Sequence, residues 1–133
     1  MMNKDNVLLP IFLEGEVVHG KALGRTVGMP TANLSIAHEK LPGSGVYATR
    51  IEIEERRFDS ITNIGRRPSV DQDEEITVET YIFDFDEEIY GQIVKLEVLT
   101  FLRPVMKFES LEEVHEQVEK DILEAKAYFR TNG

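Results

Sequence analysis

Apolar and polar residues alternate with a period of two in three separate stretches of this chain, which confines it to a mostly β architecture. In the first, Tyr47, Thr49, Ile51 and Ile53 share one face and Arg50, Glu52 and Glu54 the other. In the second, Ile76 to Phe85, the residues Ile76, Val78 and Ile82 oppose Thr77, Glu79, Tyr81 and Phe83. The third runs from Ile93 to Leu102 and gathers Val94, Leu96, Val98 and Leu102. Successive side chains of a strand point to opposite faces, so each stretch reads as a half-buried strand. Ile11 to His19 adds another, and Phe58 to Gly65 a hairpin partner for the first, joined through Glu55 and Arg56. Asp86-Glu87-Glu88 supplies the turn before Ile93. The period changes only once. Ser110 and Glu113 have capping-box spacing, and Leu111, Val114, Val118, Ile122, Ala125 and Phe129 then recur as on one amphipathic helix of about five turns. Five or six short, mostly antiparallel strands and one helix imply an α+β domain. A small closed or nearly closed barrel with the helix against its outside is expected.

A chain of 133 residues is expected to form one domain, residues 1–133 with a core over about 9–129. Its net charge of −10 argues against nucleic acid and against an anionic membrane surface as partners, since both call for a basic face. No apolar run reaches the roughly 20 residues that span a bilayer, and Met1 to Asn6 lack a signal-peptide pattern, so a cytoplasmic location is expected. The absence of cysteine excludes disulfides and thiolate metal sites.

Between the first strand and the second alternating stretch lies the densest run of special residues. Gly15, Gly20, Gly24 and Gly28 punctuate it, as in a loop whose backbone folds closely over a ligand, and Arg25 adds a fixed positive charge. Pro30 stiffens the backbone that follows, and alternation puts the Thr31 hydroxyl and the Asn33 amide oxygen on one side. Two neutral oxygens suit Mg²⁺, which often shares its ligands with substrate phosphates. The run is not a Walker loop. The glycines of Gly20-Lys21-Ala22-Leu23-Gly24-Arg25-Thr26 are too close together, and arginine stands where that loop requires lysine.

Gly15-x-Val17-Val18-His19-Gly20 followed by Gly24-Arg25-x-x-Gly28-Met29-Pro30-Thr31-Ala32-Asn33-Leu34 resembles the signature of riboflavin kinases. Further blocks follow in the family's order: Gly45-Val46-Tyr47-Ala48, Asn63-Ile64-Gly65-x-x-Pro68, Val78-Glu79 with Ile82-Phe83-Asp84-Phe85, Tyr90-Gly91, Leu102-Arg103 and Lys107-Phe108, then Gln117 and Asp121. The resemblance covers about Leu9 to Phe129. It implies a six-stranded antiparallel Greek-key β-barrel with a C-terminal helix, and ATP-dependent phosphorylation of riboflavin to FMN with Mg²⁺. It further implies that Thr31 and Asn33 bind the metal with the ATP phosphates, and that Glu79 is the catalytic base. Gly20, Gly24 and Arg25 would lie on a flap over the phosphates, and Arg103 and Phe108 on the flavin side. A monomer is expected, with any FAD synthetase activity residing in a separate partner.

Plainer readings stand beside these. Glu79 could be a barrel carboxylate paired with Arg103 or Arg25, Thr31 and Asn33 could only brace a turn, and Phe108 could staple the helix. Alternation places Glu79 with Thr77, Tyr81 and Phe83, apolar company that would make it a stronger base if buried. The three histidines are scattered and form no zinc pattern, His19 reading as structural, and the acidic run from Asp71 to Glu75 reads as a solvated loop rather than a calcium site. Ser69, Tyr81 and Met29 depart from the family's usual threonine, histidine and aromatic residues, which bears on pocket shape. Bacterial relatives usually carry an adenylyltransferase domain before this one; these 133 residues read either as a stand-alone kinase or as a fragment of the bifunctional enzyme, and the product expected of them is FMN. The alternative function is a non-catalytic flavin-binding or regulatory module, which would not need a base.

Overall fold

The structure, a computed structural model, describes residues 9–19, 31–67 and 75–132. Six strands precede one helix: β1 (Ile11–Val18), β2 (Ala32–Ser35), β3 (Gly45–Ile53), β4 (Arg56–Arg67), β5 (Glu75–Ile82), β6 (Ile93–Arg103) and α1 (Leu111–Asn132). The strands close into a barrel in the order β1-β2-β5-β4-β3-β6, every neighbouring pair antiparallel. β3, β4 and β5 follow one another as neighbours and β6 returns beside β3, the Greek-key arrangement.

Alternation puts Tyr47, Thr49, Ile51 and Ile53 inside, each fully buried, facing Val78 and Ile82 of β5 and Val94, Leu96 and Val98 of β6. Hydroxyls within this interior bond to one another: Thr80 to Thr62 at 2.8 Å, Thr62 to Thr49 at 2.9 Å, and Thr49 to Ser60 at 2.7 Å. Each buried hydroxyl thereby finds the partner it needs away from water. Outside, Ala125 and Phe129 of α1 cover Ala48, Ile61 and Phe83.

Four details depart from the sequence reading. Leu102 does not join Val98 in the interior, because Ala48 pairs with Thr100 while Thr49 pairs with Val98, and Val46 with Arg103 while Tyr47 pairs with Phe101. These two irregularities leave Leu99 and Leu102 unpaired and turn both toward the helix, as bulges do. The β3–β4 turn is Glu54–Glu55, one residue earlier than expected, with both residues at positive φ (52° and 69°). β5 ends at Ile82 rather than Phe85, the chain turning at Phe83 and Asp84, whose φ is 57°. The helix has 22 residues, about six turns, and Leu111 in its first turn is exposed. Its cap forms at Ser110, whose Oγ accepts from the Glu113 N–H at 3.2 Å, while the Glu113 carboxylate accepts from the Glu109 N–H at 2.9 Å.

Gly15 lies within β1, inside the strand expected over Ile11 to His19. A Cβ there would sit 2.5 Å from the Ser35 carbonyl oxygen and 2.6 Å from Ile36, where the chain leaves β2 against β1. Gly15→Ala is expected to lower stability by about 1–3 kcal/mol, as overpacking against backbone does. Chemical denaturation measures this, and a wild-type midpoint would contradict the close packing.

Candidate active site

β5 lies between β2 and β4, and its register decides what surrounds Glu79. Asn33 pairs with Glu79 on one side and Asn63 on the other. Directly opposed residues point to the same face. Since Val78, Thr80 and Ile82 point inward, Asn33, Glu79 and Asn63 form a row on the outer face. Thr31, two residues before Asn33, donates its hydroxyl to Glu79 Oε1 at 3.4 Å, a long bond. Thr31, Asn33 and Glu79 are thus brought together. Glu79 does share the outer face with Thr77, Tyr81 and Phe83, yet its lateral neighbours are two amides, and it is half-buried rather than enclosed in apolar side chains.

The row lines one cleft, and Thr31 beside it lines another. One, of about 510 Å³, is lined by Asn33, Asn63, Arg66, Thr77 and Glu79, and reaches Ser44 and Val105. Those last two precede β3 and follow β6, so this cleft runs toward the end of the barrel from which α1 departs. The other, of about 260 Å³, is lined by Val17, Thr31, Ala32, Thr80 and the connection from Phe85 to Tyr90. It lies toward the opposite end, although Val18 and His19 at the exit of β1 line the larger cleft. Thr31 borders the second cleft and Glu79 the first, so the bond between them ties the wall of one to the wall of the other.

The wall of the smaller cleft is held at several points. Arg56 makes two hydrogen bonds to Glu87, at 2.8 and 2.9 Å, and its guanidinium lies over Phe58 and Phe85. The hydrogen bond from Arg56 lowers the Glu87 pKa below the usual carboxylate range. This anchor is therefore complete above the ordinary carboxylate pKa and is lost as acid protonates Glu87; both groups are exposed, so its effect on stability is small. Val17 donates to the Gln92 carbonyl and Gly91 to the Val17 carbonyl, at 2.9 and 2.8 Å. The His19 ring stacks on Tyr90 with centroids 3.8 Å apart, and His19 also lines the larger cleft.

Arg103 stands three strands round the barrel from Glu79, along the register Glu79, Asn63, Val46, Arg103. It does not pair with Glu79. Its Nε and Nη2 donate to the two carboxylate oxygens of Asp121, both at 2.7 Å, and its Nη1 to the Pro104 carbonyl at 3.0 Å. Gln117 donates to the same carboxylate at 3.0 Å. Arg103 thus fastens the start of the β6–α1 connection to the helix. From that connection Val105 lines the larger cleft, whereas Arg103 and the half-buried Phe108 stand outside its lining. Gly20, Gly24 and Arg25 lie outside the described residues. Asn63 appears in the sequence only as part of a family block and not as a site residue, because its place beside Glu79 follows only from the β4–β5 register.

The family model for riboflavin kinase (Flavokinase) matches residues 7–129. The chain belongs to the riboflavin kinase family. Curated relatives include bifunctional riboflavin kinase/FMN adenylyltransferases from Bacillus subtilis, 40% identical over 93% of this chain and 41% of the relative, and from Haemophilus influenzae, 37% identical over 92% and 40%. The chain therefore spans about two fifths of the length of these relatives. Among solved structures, one from Streptococcus pneumoniae, described as a macrolide-efflux protein, superposes with a TM-score of 0.82 at 36% identity, over 88% of this chain and 38% of that one. A riboflavin kinase from Trypanosoma brucei shares the fold, with a TM-score of 0.67 at 24% identity, over 94% of this chain and 83% of that one. Among the described residues no helix is long and apolar enough to cross a membrane.

Within this riboflavin kinase fold the Arg103–Asp121 pair is nearly enclosed, its side chains 15% and 2% exposed. Removing one partner strands the other, so Asp121→Ala is expected to cost about 3 kcal/mol in urea denaturation. A loss under about 0.5 kcal/mol, the scale of an exposed pair, would contradict a clamping role.

Proposed function

We propose that this chain transfers the γ-phosphoryl group of ATP to the 5′-hydroxyl of riboflavin, producing FMN and ADP. The observation that carries the proposal is Glu79 in the larger cleft, hydrogen-bonded to Thr31 of the smaller one, in a member of the riboflavin kinase family. The larger cleft, bordered by Val105 of the β6–α1 connection, takes the flavin with its ribityl arm directed at Glu79. The smaller, beside Thr31, takes the nucleotide. Glu79 accepts the proton of the 5′-hydroxyl as that oxygen attacks phosphorus, and the γ-phosphoryl group passes from ADP to the new ester. Gly20, Gly24 and Arg25 cover and neutralise the phosphates. Arg103, with Asp121, holds the flavin-side connection that carries Phe108.

The Thr31 hydroxyl and the Asn33 amide fit a Mg²⁺ ion: two neutral oxygen ligands on one face, next to a carboxylate. Mg²⁺ often draws its other ligands from substrate phosphates and water. Bound there, Mg²⁺ supplies charge neutralisation of the transferring phosphate. The chain acts as a monomer whose product is FMN.

Incubation with riboflavin, ATP and Mg²⁺, with products resolved by chromatography, is expected to yield FMN. Folded protein that makes none with any divalent metal contradicts the proposal. Glu79→Gln keeps size and polarity but cannot take the proton, so kcat is expected to fall by about 10²–10⁴ with little change in either KM. A variant whose whole defect lies in KM would make Glu79 a binding residue.

Thr31→Ala and Asn33→Ala are each expected to raise the Mg²⁺ concentration needed for half-maximal turnover, while riboflavin binding measured without nucleotide changes little. An unaltered metal dependence in both variants would remove them from the metal site.

A further inference from the structure

We propose that Asn63 reads the ribityl arm of the substrate, holding the 4′-hydroxyl next to the 5′-hydroxyl that reacts, and so fixes the angle of attack. The inference rests on the reading that the larger cleft takes riboflavin. Asn63 is the direct partner of Glu79 across the β4–β5 pair and lines the same cleft, with its side chain exposed there. Glu79 has an amide on each side, and the two differ in placement. Asn33 lies on β2, two residues after the Thr31 that bonds the carboxylate, and is the proposed metal ligand. Asn63 lies on β4, on the side from which the cleft continues past Gly65 and Arg66. A polyol arm arriving from that side meets Asn63 just before it reaches Glu79.

The spacing suits the chemistry. Directly opposed side chains in an antiparallel pair have their Cβ atoms about 4.5–5.5 Å apart. A carboxylate and a carboxamide at that spacing, each with a short stem, can engage two oxygens on adjacent carbons. A carboxamide both donates and accepts, so it serves a hydroxyl in either role. Asn63 would then be a positioning residue: the proton goes to Glu79, and the amide decides where the attacking oxygen sits.

The test is a cycle between protein and substrate, with riboflavin and 4′-deoxyriboflavin presented to the wild-type chain and to Asn63→Ala. Flavin binding is followed by fluorescence quenching and turnover by FMN release. The wild type is expected to favour riboflavin over the deoxy analogue by about tenfold in kcat/KM, the scale of one neutral hydrogen bond at the upper end of its usual range. Asn63→Ala should lose a similar factor with riboflavin and should no longer distinguish the two flavins, while KM for ATP is unchanged. A variant that keeps the wild-type ratio overturns the proposal, as does a wild type that treats both flavins alike, an outcome that needs no variant to fold. Discrimination in binding without any FMN formation would sink the phosphotransfer reading and leave this one standing.

Discussion

The register of β5 between β2 and β4 governs everything proposed for this molecule. Side chains alternate along a strand, so a slip of one residue would carry Glu79 into the barrel and expose Val78 and Ile82 to water. Two features oppose such a slip. Val78 and Ile82 are buried against the β3 and β6 interior, and Thr80 bonds to Thr62 inside the barrel in a chain of hydroxyls that continues to Thr49 and Ser60. A shifted β5 would break that chain and leave buried hydroxyls unsatisfied, at a cost comparable to the apolar loss. The interior of the barrel thus holds the carboxylate on its surface.

The same frame separates the two clefts. β2 is only four residues long and meets β5 at two positions, Ala32 with Thr80 and Asn33 with Glu79. On one side of this short wall the connection from Phe85 to Tyr90 closes over Thr31; on the other, β4 and the residues flanking β3 and β6 shape the larger cleft. Phosphoryl transfer asks mainly for position and charge neutralisation, and a row of fixed polar groups between two openings supplies the first of these.

Much of the architecture is legible in the sequence, because the inward residues of β3, β5 and the first half of β6 follow strict alternation. The period fails where the backbone itself is irregular. Nothing in the residues Leu99 and Leu102 announces a bulge, since the extra residue shows only when β3 is laid beside β6. The Glu54–Glu55 turn is hidden for a different reason: positive φ at both positions ordinarily favours Asn or Gly, and neither is present. At the site, Thr31, Asn33 and Glu79 could be named from motif and alternation. Asn63, Arg103 and Asp121 also fall in the motif blocks, but the pairing of Asn63 with Glu79 and the Arg103–Asp121 clamp could not be read, because each is defined by a partner on another element. Asp121 in particular interrupts the apolar stripe of α1, and only the structure shows the guanidinium that makes its burial tolerable.

The central claim is that phosphoryl transfer occurs between the two clefts, over Glu79. A crystal structure of the chain with FMN, ADP and Mg²⁺ bound together tests it most directly. The account predicts the isoalloxazine in the cleft bordered by Val105, the nucleotide in the cleft bordered by Thr31, and the phosphate ester oxygen of FMN within hydrogen-bond reach of Glu79, with the metal on Thr31 and Asn33. FMN bound with its phosphate away from Glu79, or both ligands lodged in one cleft, would contradict it.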